Sequence, residues 1–416
     1  MKRTGALARV PAFDRNGRIV VVARGLRSYA FGLNSVSLGL YLATLDVPGG
    51  DIGLVFSAAF VGSLGLTVII AGWGDRIGRR RLLMAGSALM ITAALVPLVS
   101  RDPLLLALLA LSGMVAVNAN ESTGLQTVDQ ALLPQSVTDR ERTAAFAFYN
   151  LIASAAAALG ALSVGLLPVM GSWLGLSGAD IYAPAFLLYA VIGVVTLYMH
   201  SRLDRNAESG EKLEGRLAIG RSRPIVARLS LLFGLDSFAS SLSVQSYLAF
   251  FLAVSFGTDP AVAGALFFVA GILQTISFPI AAWLSARIGL IQTMVFTHIP
   301  SSLFLIGMAL SPNLLVASVF LLARSALASM DVPARQSYTM AVVEPRERTA
   351  TAGVTSLARA IAQVPGPAIA GALLVPLGFG VPLIVTGVLK IGYDVALFAL
   401  FRSRPAPEER RFEADG

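Results

Sequence analysis

The sequence predicts an all-helical integral membrane protein of about twelve transmembrane helices in two pseudo-symmetric six-helix bundles. Three observations predict it. Of 416 residues, 56% are hydrophobic and only 13% charged, with a mean hydropathy of +0.74, whereas a soluble chain carries roughly 25% charged residues. Apolar stretches of about 17 to 25 residues, long enough to cross a hydrocarbon core, recur from near Ser28 to near Phe401. Short basic motifs repeat between the two halves of the chain on either side of a polar centre. Strand-type alternation is absent, and Gly and Pro interrupt long apolar runs, which suits locally broken helices and not a barrel.

The N-terminal segment is basic through Lys2, Arg3, Arg9, Arg15 and Arg18. It lacks a short apolar core followed by a small-residue cleavage site, so no removable signal peptide is expected and the first span is retained. With this end in the cytoplasm, the loops bearing Arg76, Arg79, Arg80, Arg81, Arg140, Arg142, Arg287, Arg346 and Arg348 all fall inside, and Arg101 alone falls outside. The outer turns then carry Asp46, Asp51, Asp102, Asp180 and Asp259. This positive-inside asymmetry places both termini in the cytoplasm and requires an even number of spans. The net charge of +8 is thereby spent on topology in short loops, with no basic patch interleaved with aromatics for nucleic acid.

The longest polar stretch, 201–228, is dense in Arg, Glu, Lys and Gly and reads as a cytoplasmic linker. It divides an N-terminal bundle, 1–200, from a C-terminal bundle with a short tail, 229–416. The halves echo one another. Arg140-Glu141-Arg142-Thr143-Ala144 recurs as Arg346-Glu347-Arg348-Thr349-Ala350, an offset of 346 − 140 = 206, with Gln130 matching Gln336 at the same offset. Arg76-Ile77-Gly78 recurs as Arg287-Ile288-Gly289 at an offset of 211. Two such echoes predict a parallel internal repeat.

Between the second and third spans lies Ala71-Gly72-Trp73-Gly74-Asp75-Arg76-Ile77-Gly78-Arg79-Arg80-Arg81. Here the chain resembles the major facilitator superfamily, whose signature loop reads Gly-x-x-x-Asp-Arg-x-Gly-Arg-Arg; the leading glycine falls one place late, at Gly72. By residue type, Gly78 permits a sharp turn, the arginines hold the loop at an anionic leaflet, and Asp75 can accept backbone donors at a helix N-terminus. The resemblance implies a conformational latch formed by Asp75, Arg76, Gly78, Arg79 and Arg80, with a counterpart near Arg348 and Thr349. Pro365-Gly366-Pro367-Ala368-Ile369-Ala370-Gly371 in the eleventh span resembles the Gly-Pro motif that antiporters of this superfamily carry in their fifth. The fifth span here has only Gly160 and Gly165. A kink in a tightly packed bundle accounts equally well for the prolines.

An ionisable side chain at membrane depth costs at least about 2.5 to 3.5 kcal/mol on insertion scales, so each calls for a partner or a watery cavity. The fourth span carries Asn118, Asn120, Glu121, Gln126 and Asp129, and on a continuous helix Asn118 and Glu121 share a face. Glu121 is expected to bind the coupling proton, with Asp129 and Asp236 as further protonatable groups. The tenth to twelfth spans carry Arg324, Arg335, Arg359 and Lys390 against Asp331 and Asp394. Lys390 and Asp394, four apart, are expected to pair. Arg324 and Arg359 could grip an anion in a forked, bidentate way, or bridge internally to Glu121 or Asp236. Asn118, Gln245 and Gln274 complete the expected substrate contacts.

No cysteine is present, and His200 and His298 are the two histidines, so neither a metal site nor any other cofactor is expected. His298, inside a span, is a weak pH sensor by type. No His, Asp or Ser constellation suggests an enzyme, and a scaffold has no need of costly buried charge. The expected function is secondary active transport of a small molecule across the inner (cytoplasmic) membrane, as a monomer, by proton-coupled efflux. The alternative is a proton-linked carrier of a small organic or inorganic anion.

Overall fold

A computed structural model describes residues 11–45, 47–119, 124–138, 142–204, 220–344 and 347–402. The first half forms α1 (Arg15–Thr44), α2 (Gly49–Ile77), α3 (Arg79–Val99), α4 (Pro103–Ala110), α5 (Gly124–Leu132), α6 (Arg142–Ser163), α7 (Leu167–Leu174) and α8 (Ala183–Ser201). The second forms α9 (Arg223–Ser241), α10 (Gln245–Phe256), α11 (Pro260–Ile288), α12 (Leu290–Ala309), α13 (Leu314–Leu327), α14 (Asp331–Ala341), α15 (Arg348–Gln363), α16 (Gly366–Leu377) and α17 (Val381–Phe401). Ten segments among the described residues are long and apolar enough to cross a membrane. The 30-residue α1, diluted by arginines and serines, and the interrupted pair α4–α5 supply the other two, giving twelve spans in two bundles of six. Large apolar side chains such as Trp173, Leu231 and Leu315 point outward, as lipid solvation requires.

The repeat reaches the level of helix boundaries. α6 begins at Arg142 and α15 at Arg348, the offset of 206 seen in the sequence. Gly78 and Gly289 each join two long helices, at φ 93° in both cases, a backbone state that side-chain-bearing residues rarely adopt. The signature glycine and its echo therefore make the same turn. In both halves the fourth and fifth spans are divided, α4–α5 and α6–α7 in the first, α13–α14 and α15–α16 in the second.

Chain contacts group the residues into two compact units. One comprises Met1–Val47, Ala58–Lys212 and Gln245–Phe268, the other Pro48–Ser57, Leu213–Val244 and Val269–Gly416. Within the first, α1 crosses α6 at glycines: a Cβ on Gly32 would stand 1.9 Å from the Ala157 carbonyl oxygen and one on Gly160 2.0 Å from that of Tyr29. Gly39 abuts the Ser246 carbonyl of α10 in the same manner. Small residues let these backbones approach where lipid supplies no hydrophobic drive. Within the second unit, Gly53 faces Gly371, whose own Cβ would lie 2.5 Å from the Gly49 carbonyl. The proline break before α16 frees the Ala368 N–H, which donates to Ser57 Oγ at 2.8 Å. The Gly-Pro run thus serves close packing and a helix break here.

Candidate functional site

The fourth span departs from the continuous helix expected for it. α4 stops at Ala110 because residues 111–113 run against Gly62, where a Cβ would lie 2.5 Å from the Leu111 carbonyl, and Gly113 turns at φ 73°. Asn118 therefore sits on bent, non-helical backbone before α5, so the expected shared helical face with Glu121 has no helix to carry it. Unwound backbone at membrane depth survives only when its polar groups are satisfied. Tyr189 donates to the Met114 carbonyl, Asn34 Nδ2 to Ala116 O at 3.2 Å, and the Ser246 N–H to Val117 O at 3.0 Å. Asn118 Oδ1 accepts from the backbone N–H of Gln245 at 3.0 Å. Two residues expected to contact substrate are thereby brought together, although Gln245 contributes its main chain. Glu121 lies outside the described residues.

Asp129 is fully buried on α5 and pairs with Arg27 of α1. The Tyr149 hydroxyl donates to the same carboxylate at 3.0 Å, and the Arg24 guanidinium lies 5.2 Å from the Tyr149 ring centre. Arg24 and Arg27 are absent from the sequence-based site. The rule that found Asp129 would have found them, because α1 starts at Arg15, well before the apolar run near Ser28.

The second bundle holds a larger network built by four helices. Asp236 on α9 accepts from Arg335 Nη1 of α14 at 3.1 Å and from Lys390 Nζ of α17 at 2.8 Å. Arg335 Nη1 also reaches Asp331, one turn away, at 3.1 Å. His298 Nδ1 on α12 lies 3.0 Å from both carboxylate oxygens of Asp394, and its Nε2 lies 3.2 Å from Lys390 Nζ. Asp236, His298, Asp331, Arg335, Lys390 and Asp394 are each more than nine-tenths buried. Lys390 thus binds Asp236 and His298, while its expected partner Asp394 goes to His298. The lysine stem spans to the neighbouring helix, a reach that spacing along α17 does not report.

The two ion pairs occupy corresponding places. Asp129 and Arg335 are 206 residues apart, the offset of the repeat, and Arg27 and Asp236 are 209 apart. In each bundle the first span is bound to the second segment of the fourth, with the charges exchanged: Arg27 to Asp129 and Asp236 to Arg335.

The remaining expected residues are dispersed. Arg359 of α15 donates from Nε to Ser237 Oγ at 2.8 Å. Arg324 is half-buried on α13, where its carbonyl accepts from Ser301 Oγ at 3.5 Å. Gln274 is half-buried on α11 and its carbonyl accepts from Ser277. In the signature loop, Arg80 donates to the carbonyl of Ser201 at the end of α8 at 2.7 Å, a favourable place for a cation. Arg76 is exposed and Arg79 half-buried. The Asp75 side chain lies outside the described set, as does that of Thr349, while Arg348 Nε donates to Met340 O at 2.9 Å. Among the described residues no cluster of His, Cys, Asp or Glu could hold a metal ion.

A helical membrane protein in two repeated bundles, each with an ion pair locking its first span to its fourth, is built as a secondary carrier. The model of the Major Facilitator Superfamily matches residues 20–323 and again 229–416, and the chain belongs to that family, whose members transport by alternating access. An uncharacterised membrane protein of Saccharomyces cerevisiae is 25% identical over 410 residues, covering 90% of this chain and 92% of that one. Solved structures share the fold. The nucleoside transporter NupG is 12% identical with a TM-score of 0.71 over 92% of this chain and 98% of its own. An inward-facing bacterial homologue of the iron transporter ferroportin is 17% identical with a TM-score of 0.71 over the same shares. A peptide transporter of the POT type is 13% identical with a TM-score of 0.69 over 96% and 98%.

Proposed function

We propose that this chain is a proton-coupled exporter of a small molecule in the cytoplasmic membrane, acting as a monomer with both termini in the cytoplasm. The observation that carries it is the buried network around Asp236. Retaining three carboxylates, two cations and a histidine in a span region costs stability unless the charge is used, and proton translocation uses it. The bundles 1–200 and 229–416 rock about the linker 201–228, with Asp75 and its arginines latching one end of the cycle. Asp129 and Asp236, with Glu121, are the carboxylates that take up and release the coupling proton.

The test is flux in proteoliposomes holding a pH dye, with ethidium and tetraphenylphosphonium as lipophilic cations and benzoate and phosphate as anions. An exporter of this kind moves a compound and a proton in opposite directions, so uptake into an acidic lumen is accompanied by lumenal alkalinisation. Absence of proton-linked movement with every compound, in a folded protein, overturns the proposal.

One observation favours the anion carrier instead. Arg335 and Lys390 share Asp236, Arg359 donates to the Ser237 hydroxyl, and among the described residues neither the Arg359 nor the Arg324 guanidinium meets a carboxylate within an ion-pair distance. Both are then free to take a carboxylate or phosphate. Stabilisation by benzoate or phosphate that disappears in Arg324→Ala supports this reading, because a bound ligand raises stability by mass action.

A further inference from the structure

The chain uses lysine sparingly. Of its 32 basic residues only Lys2, Lys212 and Lys390 are lysines, and His298 is one of two histidines. Lys390 and His298 meet at 3.2 Å inside the second bundle. We propose that His298 is the proton-binding residue of this bundle, and that a proton bound at its Nε2 displaces Lys390 from Asp236. The inference rests on the coupled-transport reading above and assigns the coupling ion its site.

The hydrogen-bonding inventory fixes the resting state. A carboxylate only accepts, so with Asp394 at 3.0 Å the hydrogen of the neutral ring resides on Nδ1. An ammonium only donates, so Lys390 Nζ at 3.2 Å makes Nε2 the acceptor. Asp236 Oδ1, already 2.8 Å from Lys390 Nζ, stands 3.8 Å from Nε2. A proton taken from water onto Nε2 converts this acceptor into a cationic donor facing an ammonium. The contact becomes repulsive, while the Asp236 oxygen lies roughly 1 Å beyond hydrogen-bond reach of the new N–H. Arg335 holds the other oxygen of Asp236, so the carboxylate stays in place and the flexible lysine gives way. The only bond made is N–H, and the proton returns to water when Lys390 comes back.

Every charged group on the surrounding helices bears on this exchange. α17 presents Lys390, Asp394 and the Tyr393 ring, edge-on at 6.0 Å. α9 presents Asp236, and α14 presents Asp331 and Arg335. α13, which packs on α12, brings Arg324, and Arg359 of α15 lies beyond, on Ser237. With His298 neutral, Asp236, Asp331 and Asp394 already face four cations, Arg324, Arg335, Arg359 and Lys390. One further proton adds to this positive excess, which Lys390 relieves by moving outward with α17. The corresponding pair of the first bundle, Arg27 with Asp129, has Tyr149 as a further partner.

Nitrogen NMR of the histidine rings, on full-length protein in lipid nanodiscs between pH 5 and 9, reads the site with the proton itself as ligand. His200→Gln assigns the two residues. The expected result is that Nε2 of His298 changes from bare acceptor to N–H as pH falls while Nδ1 keeps its hydrogen, and that in Lys390→Met the change occurs at least tenfold lower in proton concentration. A ring unchanged from pH 5 to 9, or one that changes at the same pH in Lys390→Met, overturns the proposal. The wild-type titration needs no substitution in the network and decides even where Lys390→Met does not fold. In the ethidium and benzoate flux assay, His298→Gln is expected to lose lumenal pH change and keep counterflow exchange. If wild type moves protons and His298→Gln does too, the histidine is not the site and the exporter reading stands, with Glu121→Gln the next variant. If wild type moves none yet the ring titrates as described, the proton site stands and coupled transport falls.

Discussion

Asp236 accepts from cations on two other helices, so a change there is felt by both. Asp236→Asn removes the carboxylate charge that Lys390 and Arg335 share in a buried setting, while Arg335 keeps Asp331, and breaking such a pair costs about 3–5 kcal/mol. We expect a matching loss in denaturation midpoint. Asp236→Asn combined with Lys390→Met should be less destabilised than Asp236→Asn alone, because the uncompensated ammonium is gone; equal loss in both would show that Lys390 is not held by Asp236. Residue type alone marked Asp129, Asp236 and Lys390 as costly and therefore meaningful. It did not pair them. Lys390 stands one turn from Asp394, yet its ammonium crosses to α9 because helix rotation, and not spacing along one helix, sets which carboxylate it meets.

At the scale of elements, glycine placement decides most of the geometry. Gly78 and Gly289 both hold φ 93°, and an alanine there is strained by about 1–3 kcal/mol. Gly289→Ala is expected to lower thermal stability to the same degree as Gly78→Ala, which a melting series on the two variants checks. A second device joins the linker side of α9 to the start of α15. Glu347, the glutamate of the repeated basic motif, accepts backbone N–H groups from Gly220 at 2.7 Å, Arg221 at 3.1 Å and Ser222 at 3.0 Å, closing the N-terminus of α9. The hydrogen bonds from Ser222 and from these N–H groups hold its carboxyl below the usual carboxylate range. A lowered folded-state value means that the stabilisation is complete above the ordinary range and is lost as pH falls through the lowered one. Glu347→Gln should therefore reduce stability at pH 7 and flatten its decline below about pH 4; an unchanged acid profile would show that the clasp contributes nothing. The motif was visible in the sequence, but its partner lies 125 residues upstream.

Considered whole, the molecule repeats one plan with opposite charges. Arg27 with Asp129 and Asp236 with Arg335 lock the first span of each bundle to its fourth, so reversing one pair is a direct test of the plan. Arg27→Asp with Asp129→Arg is expected to fold where either single change does not, as judged by monodisperse elution and melting. The broken fourth span shows where prediction by periodicity fails. Nothing in the apolar pattern from Leu104 to Leu111 announces that the helix ends at Ala110. The cause is the approach of that backbone to Gly62, some fifty residues away in the chain.

By itself the sequence determined the membrane setting, the number of spans, the repeat, the signature loop with its glycine turn and the family. These follow from local properties: transfer energy sums along a segment, and a glycine or proline constrains its own backbone. Only the tertiary structure decided that Lys390 serves Asp236, that His298 bridges Asp394 to that pair, that Arg24 and Arg27 join the first bundle's interior, and that Asn118 leaves the helix. Each depends on how helices rotate and cross, which is fixed by contacts between residues far apart in the chain, and buried charge takes whichever partner that packing brings within reach.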